Sequence, residues 1–273
     1  MNIFKNKSNF IEITSHIDSN IIDLIKATDL NKVEWVQFYG IEPNEKDLVV
    51  INDFFREFPQ IYLRWISPNW LKYLPDLQKF WLKFTIENIE KIKNHKVIGL
   101  YLENSLSKKD DLTIINQFNE TLEELFIAGD AKNADKIISQ FKKMENLRLS
   151  SVKLNDFTFL ENINLKYFYN YGSRVKDFSY LENMNSLKKL YLKTNTTLEN
   201  LDFIENLTNI EDILIMYLSK ITYFPKVQNL KKIKRIVFYD CNRLENIEEL
   251  KKLENVEIRV FGKLVKYEKD ASR

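Results

Sequence analysis

One spacing governs what this chain can fold into. In LKKLYLKTN (residues 187–195) apolar side chains stand at the first, fourth and sixth positions. The same frame falls on Ile210, Ile233 and Leu253, and, going back, on Leu165, Met144, Leu122, Val97, Leu77, Phe58 and Val33. These starts lie 19 to 25 residues apart. All eleven frames are apolar at the first and fourth positions and ten at the sixth, where Asn170 is the exception, in a chain that is 44% apolar overall. A unit this short cannot bury its apolar face alone, so successive units must stack to make a shared core.

Within each frame the alternation of a strand sends positions four and six inward and positions three, five and seven to the opposite face. This predicts parallel strands near 35–39, 60–64, 79–83, 99–103, 124–128, 146–150, 167–171, 189–193, 212–216, 235–239 and 255–260. The connectors change character along the chain. Segments 20–28, 45–58, 110–119 and 134–144 have helical spacing, whereas Val175, Phe178, Leu181, Met184 and Leu187 step by three, as do three later runs. A three-residue step suits 3₁₀ turns and extended stretches better than an α-helix.

The ninth position is polar and small in the clearest frames: Asn195 closes one and Cys241 another. A repeat of this length with the pattern L-x-x-L-x-L-x-x-N/C resembles the leucine-rich repeat family, and the three-step connectors resemble its 22-residue class found in bacterial internalins. The resemblance covers residues 33–261. It implies an α/β fold, a leucine-rich-repeat solenoid with a parallel sheet on the concave face and helices and 3₁₀ turns on the convex one, built as one body of about eleven repeats. Asp130, Thr85, Ser173 and Val152 occupy other ninth positions, so a continuous asparagine ladder is not expected. Residues 1–32 are expected to cap the N-terminal end. Residues 262–273 are expected to form a hairpin turning at Gly262–Lys263 and a tail.

Chemistry-bearing constellations are sparse. The two histidines, His16 and His95, fall in different repeats, and no paired-cysteine or H-x-x-x-H spacing offers a metal site. Five glycines assemble no phosphate loop; Gly40, Gly129 and Gly172 each take the eighth position of a frame, where a strand must turn. Cys241 reads as a turn residue rather than a nucleophile, since no histidine accompanies it. No enzyme, metal or cofactor is expected. A net charge of +2 is too balanced to imply a nucleic-acid or membrane partner. One cysteine, no apolar run long enough to span a bilayer and no secretory leader give a cytoplasmic monomer as the expectation.

The informative column is the fifth position, reading Gln37, Tyr62, Trp81, Tyr101, Phe126, Arg148, Tyr169, Tyr191, Leu214, Val237 and Glu257. Six of these eleven are aromatic, against 13% of the chain. Flanking columns add Trp35, Tyr39, Tyr167, Tyr171 and Tyr239, with Arg64, Lys79, Lys83, Lys189, Lys193, Arg235 and Arg259 facing Glu103, Glu124 and Asp212. Strand neighbours can stack for their own benefit. An exposed aromatic ladder also marks an interface, and Tyr, Trp and Arg predominate at binding hot spots. The expected partner-binding set is Tyr62, Arg64, Trp81, Lys83, Tyr101, Glu103, Phe126, Arg148, Tyr169, Tyr191 and Lys193. Family resemblance implies a protein partner, with a cognate toxin, and hence an immunity role, as one identity. Single-stranded nucleic acid is the alternative, because stacked aromatics interleaved with basic residues hold such strands.

Overall fold

A computed structural model describes residues 4–7, 9–17, 19–241, 243–245, 250, 253 and 256–261. Its strands are β1 (Phe4–Lys7), β2 (Phe10–Ile13), β3 (Trp35–Phe38), β4 (Tyr62–Arg64), β5 (Lys79–Leu82), β6 (Gly99–Leu106) and β7 (Glu124–Gly129). The series continues with β8 (Asn146–Ser150), β9 (Tyr167–Tyr171), β10 (Lys189–Lys193), β11 (Asp212–Met216), β12 (Arg235–Tyr239) and β13 (Glu257–Phe261). Every strand anticipated from the frames is present, and β8 to β12 match end to end. The α-helices are α1 (Ser19–Lys26), α2 (Glu45–Glu57), α3 (Ile86–Lys91) and α4 (Ala134–Ile138). The chain divides into two compact units, Met1–Ser105 with Ile114–Leu125, and Leu106–Thr113 with Phe126–Arg273.

In the first unit β2 to β5 run parallel, each paired with the next, and β5 pairs parallel with β6. At its start β1 pairs antiparallel with β2, a hairpin that the repeat pattern does not announce. The connectors of this unit are the helical ones. Asn44 caps α2 in a capping box with Asp47, which is itself 1% exposed because Ile17 N–H, Asn44 N–H and the His16 ring all bond to it. Leu48, Ile51, Phe54 and Phe55 form the buried stripe of that helix. The core lies between this stripe and the inward strand residues Val36, Leu63, Phe80 and Leu100, all fully buried.

In the second unit β8 to β13 form a parallel ladder in chain order. Leu147 and Leu149, Leu190 and Leu192, Ile213 and Ile215, and Ile236 and Phe238 fill the core, as period-two alternation requires. Between strands the chain forms short 3₁₀ turns at Thr158–Leu160, Ser179–Leu181 and Asp202–Asn206, and the last two fall in runs whose three-residue step predicts them. Beside these turns Phe157 meets Phe178 edge-on at 4.8 Å, and Phe178 stacks on Phe203 at 5.7 Å.

Two helical expectations need correction. Residues 110–119 hold a 3₁₀ helix, Leu112–Phe118, and α4 ends at Ile138 rather than near 144. Asp111 accepts from the Thr113 N–H, the Thr113 hydroxyl and the Asn133 amide, and this local bonding competes with a full helical turn. The hairpin expected at Gly262–Lys263 lies outside the described residues.

Most of the turns that follow the strands share one conformation. Of nine described residues with positive φ, eight occupy the eighth position of a frame: Gly40, Trp65, Gly129, Ser151, Gly172, Thr194, Tyr217 and Asp240. Glycine adopts this left-handed conformation freely, but Trp65, Thr194 and Tyr217 hold it at a cost, because Cβ crowds the carbonyl oxygen. The ninth position then turns inward. The Asn195 amide, 1% exposed, donates to Val175 O and accepts from the Thr197 and Leu198 N–H groups. Ser173 plays the same part with Val175 N–H. Cys241 is buried with Ile215 O 3.7 Å from its thiol, and burial pushes that thiol above its ordinary range, which makes it an inert turn residue.

Candidate functional site

The outward face of the strands carries two clusters, one in each unit. In the first, Phe10 stacks on Trp35 at 5.1 Å, Trp35 meets Trp81 edge-on at 5.0 Å, and Trp81 stacks on Tyr101 at 3.7 Å. The Arg64 guanidinium lies 4.1 Å from the Trp81 ring centroid, 4.2 Å from that of Trp65 and 5.7 Å from that of Trp35. An Arg held against three indoles gains cation–π attraction and loses little mobility on binding. Its Nη1 donates to Gln37 Oε1 at 3.4 Å, and Gln37 donates in turn to Glu12. The Trp65 indole donates to Glu103.

Beside this cluster a second network crosses four strands. The Tyr62 hydroxyl donates to Glu124 Oε2 at 2.9 Å and Lys79 Nζ pairs with Glu124 Oε1 at 2.7 Å. Lys79 is 6% exposed, so its ammonium has given up most of its water for that carboxylate. Tyr62 can reach Glu124 because Gly99 stands between them without a side chain: a Cβ there would come within 2.7 Å of the Tyr62 hydroxyl.

In the second unit the central column reads Arg148, Tyr169, Tyr191, Leu214, Val237 and Arg259, each paired across the ladder with the next. Lys189 lies 4.9 Å from the Tyr167 ring and Lys193 4.9 Å from that of Tyr171. Tyr217, left-handed and 39% exposed, meets Tyr239 edge-on at 5.4 Å. A charge contact joins Arg235 to Asp212, with Nε 2.9 Å from Oδ1, and the Tyr191 hydroxyl donates to Asp212 Oδ2 at 2.6 Å. Burial, followed by the Asp212 carboxylate, pushes Tyr191 up to about 12.

The structure thus gathers Tyr62, Arg64, Trp81, Tyr101 and Glu103 in one unit, and Arg148, Tyr169, Tyr191 and Lys193 in the other. Lys83 stands exposed beyond the end of β5, and Phe126 is half-buried. Two positions in the expected central column are corrected. Tyr62 pairs with Trp35, and Arg64, not Tyr62, faces Trp81. Glu257 faces Arg235, and Arg259 occupies the column beside Val237. Both slips are of two residues. Trp81 is also not an open-water residue: at 7% exposure it is the floor on which Tyr101 and Arg64 rest. Sequence reasoning passed over Trp65 and Tyr217. Their signal was a large aromatic residue at the eighth position, a slot held elsewhere by glycines or small polar residues such as Ser151, Thr194 and Asp240.

Both histidines lie off this face: His16 bonds Asp47, and His95 packs edge-on against Phe80. Among the described residues no group of three or more His, Cys, Asp or Glu gathers at metal-binding distances. No helix among them is long and apolar enough to cross a membrane.

The sequence model of the BspA-type leucine-rich repeat region matches residues 136–245 and 161–269, in six copies. No curated protein matches the sequence. Among solved structures, internalin C2 of Listeria monocytogenes is 21% identical, with 72% of this chain and 84% of that chain covered and a TM-score of 0.52. A Listeria monocytogenes internalin F structure is 16% identical over 94% of this chain and 82% of that chain, TM-score 0.54. A leucine-rich-repeat protein of Leptospira interrogans is 19% identical over 92% of this chain and 65% of that chain, TM-score 0.55.

Proposed function

Because the chain belongs to the leucine-rich-repeat family, whose fold commonly serves protein binding, we propose that it is a non-enzymatic binding protein that engages another protein on the outward face of its strands. The observation that carries this reading is the composition and setting of that face. Trp65 and Tyr217 are 44% and 39% exposed, with the Arg64 guanidinium 4.2 Å from the first ring and the Lys193 ammonium 6.0 Å from the second. These are the residue types that concentrate binding energy, and ring contacts hold their side chains in place before a partner arrives. On analogy with leucine-rich-repeat immunity proteins, the reading extends to a cognate toxin as the partner. A toxin gene immediately upstream supports that identity, and a housekeeping neighbourhood removes it.

Single-stranded nucleic acid is less well served. Glu12, Glu103, Glu124 and Asp212 stand among the cations, and Lys79 and Arg235 are already paired with carboxylates. A phosphate backbone would meet those acids along its path. The test is affinity capture from the source cell's lysate with the native chain beside Trp65→Ala and Tyr217→Ala. A protein held by the native chain and lost from a variant with unchanged thermal melting supports the proposal. Capture that neither variant alters refutes the face. Tight oligothymidylate binding that collapses as salt rises replaces protein by nucleic acid.

A further inference from the structure

The Arg64 cluster has an imbalance of hydrogen-bonding groups. Around it the acceptors are taken: Gln37 Oε1 by Arg64, Glu12 by Gln37, and Glu103 by Trp65. Donors remain over. Arg64 Nε and the indole N–H groups of Trp35 and Trp81 are buried without an acceptor among the described residues. Among the described residues no carboxylate lies within ion-pairing distance of Arg64, whose hydrogen bond to them is the one from Nη1 to Gln37. A guanidinium clamped between the Trp65 and Trp81 rings is therefore fixed in orientation, short of acceptors and charged.

The cage cannot be a receptor for a cation from outside, since Arg64 already fills that role at 4.1 and 4.2 Å from the two rings. The missing complement is an acceptor with a negative charge. A planar carboxylate fits the fork of a guanidinium, and with Nε buried it is the Nη1–Nη2 edge that a partner's carboxylate would meet. A run of phosphates fits poorly, because Glu12 lies one hydrogen-bonded residue away and Glu103 is bonded to the adjacent indole. One carboxylate brings a single charge to that setting, whereas a polyanion would carry further charges past both acids.

We infer that Arg64 is the receptor for a single aspartate or glutamate side chain of the partner protein, with the exposed Trp65 ring as the wall against which an apolar neighbour of that acid packs. This rests on the protein-binding reading above and adds the chemistry of the partner's anchor.

The experiment selects a random peptide library, displayed with its C-termini fused to a carrier, against the full chain. Fusion removes the terminal carboxylate, so only a side chain can supply the charge. Selected peptides are synthesised with amidated ends and titrated by tryptophan fluorescence against the native chain, Arg64→Gln, Arg64→Lys and Trp65→Ala, with thermal melts of each. The expected result is a shared acid in the selected peptides and a loss of about tenfold or more in affinity on Arg64→Gln. A similar loss is expected when the peptide acid becomes its amide, and the two losses should not multiply when combined. Arg64→Lys, which keeps the charge and loses the fork, should fall between, and this holds the test open if Arg64→Gln folds poorly. Peptides without an acid that are still weakened by Trp65→Ala would overturn the inference and leave the binding face standing. Peptides indifferent to every variant, or no selected peptide at all, would overturn both. Displacement of the peptides by oligothymidylate would replace the carboxylate with phosphate.

Discussion

Gly99 is the most exacting position on the outward face, and changing it to alanine tests whether the Tyr62–Lys79–Glu124 network is built as described. The added methyl would sit 2.7 Å from the Tyr62 hydroxyl oxygen, 3.1 Å from Cζ of that ring and 3.0 Å from Lys79 Cγ. Neither neighbour can yield freely. The hydroxyl is bonded to Glu124 at 2.9 Å, and Lys79, 6% exposed, is paired with the same carboxylate at 2.7 Å. Overpacking of this kind costs about 1–3 kcal/mol, and displacing the tyrosine forfeits a hydrogen bond to a charged group, a further ~1.5 kcal/mol. The expected loss for Gly99→Ala is therefore about 2.5–4.5 kcal/mol. Tyr62→Phe removes the atom nearest the new methyl, so the double variant should be more stable than the sum of the two single losses predicts, by about 1 kcal/mol or more. Urea denaturation followed by tryptophan fluorescence is a clean assay, because all four tryptophans (Trp35, Trp65, Trp70 and Trp81) lie in the first unit. An unchanged midpoint for Gly99→Ala, or strictly additive losses in the double variant, would refute the reasoning.

Other perturbations separate the remaining contributions. Trp81→Ala should lower the stability of the first unit by about 3–5 kcal/mol in the same denaturation assay, since the ring is a buried floor for Tyr101 and Arg64. Asn195→Ala removes the amide donor to Val175 O, which keeps only the Thr197 hydroxyl at 3.3 Å, and the acceptor of the buried Leu198 N–H and the part-buried Thr197 N–H; it should cost about 2–4 kcal/mol by chemical denaturation monitored by circular dichroism. Gly40→Ala adds a methyl that meets nothing within 4 Å, so only left-handed backbone strain of ~1 kcal/mol is expected. Gly172→Ala also presses on Ser151 Oγ at 2.9 Å and should lower the melting temperature further. For Tyr191 the sign follows from its raised value of about 12: between pH 10 and 12 the folded chain holds a proton that the unfolded chain releases. Its contribution is fully present below pH 10 and is lost as pH rises towards 12, so the Tyr191→Phe variant should show a flatter decline in stability over that window.

The apolar frame was sufficient for the architecture because it is a local property. Each strand must alternate to bury Leu190 and Leu192 or Ile213 and Ile215, and a shift of one residue would turn that whole set to water. The ninth-position polar groups and the three-step connectors are equally local, which is why Asn195, Cys241 and the 3₁₀ turns were legible. A shift of two residues is different. It keeps every side chain on its face and changes only which residue stands across the ladder, so hydrophobic periodicity cannot detect it. The path of the intervening connector decides that register, and it placed Arg64 rather than Tyr62 against Trp81, and Arg259 rather than Glu257 beside Val237. The left-handed turn that sets Trp65 beside Arg64, and the bare Gly99 under the Tyr62 hydroxyl, likewise exist only once β4, β5 and β6 lie side by side. The periodic pattern fixed which side chains face outward, and the packed strands decided which of them touch.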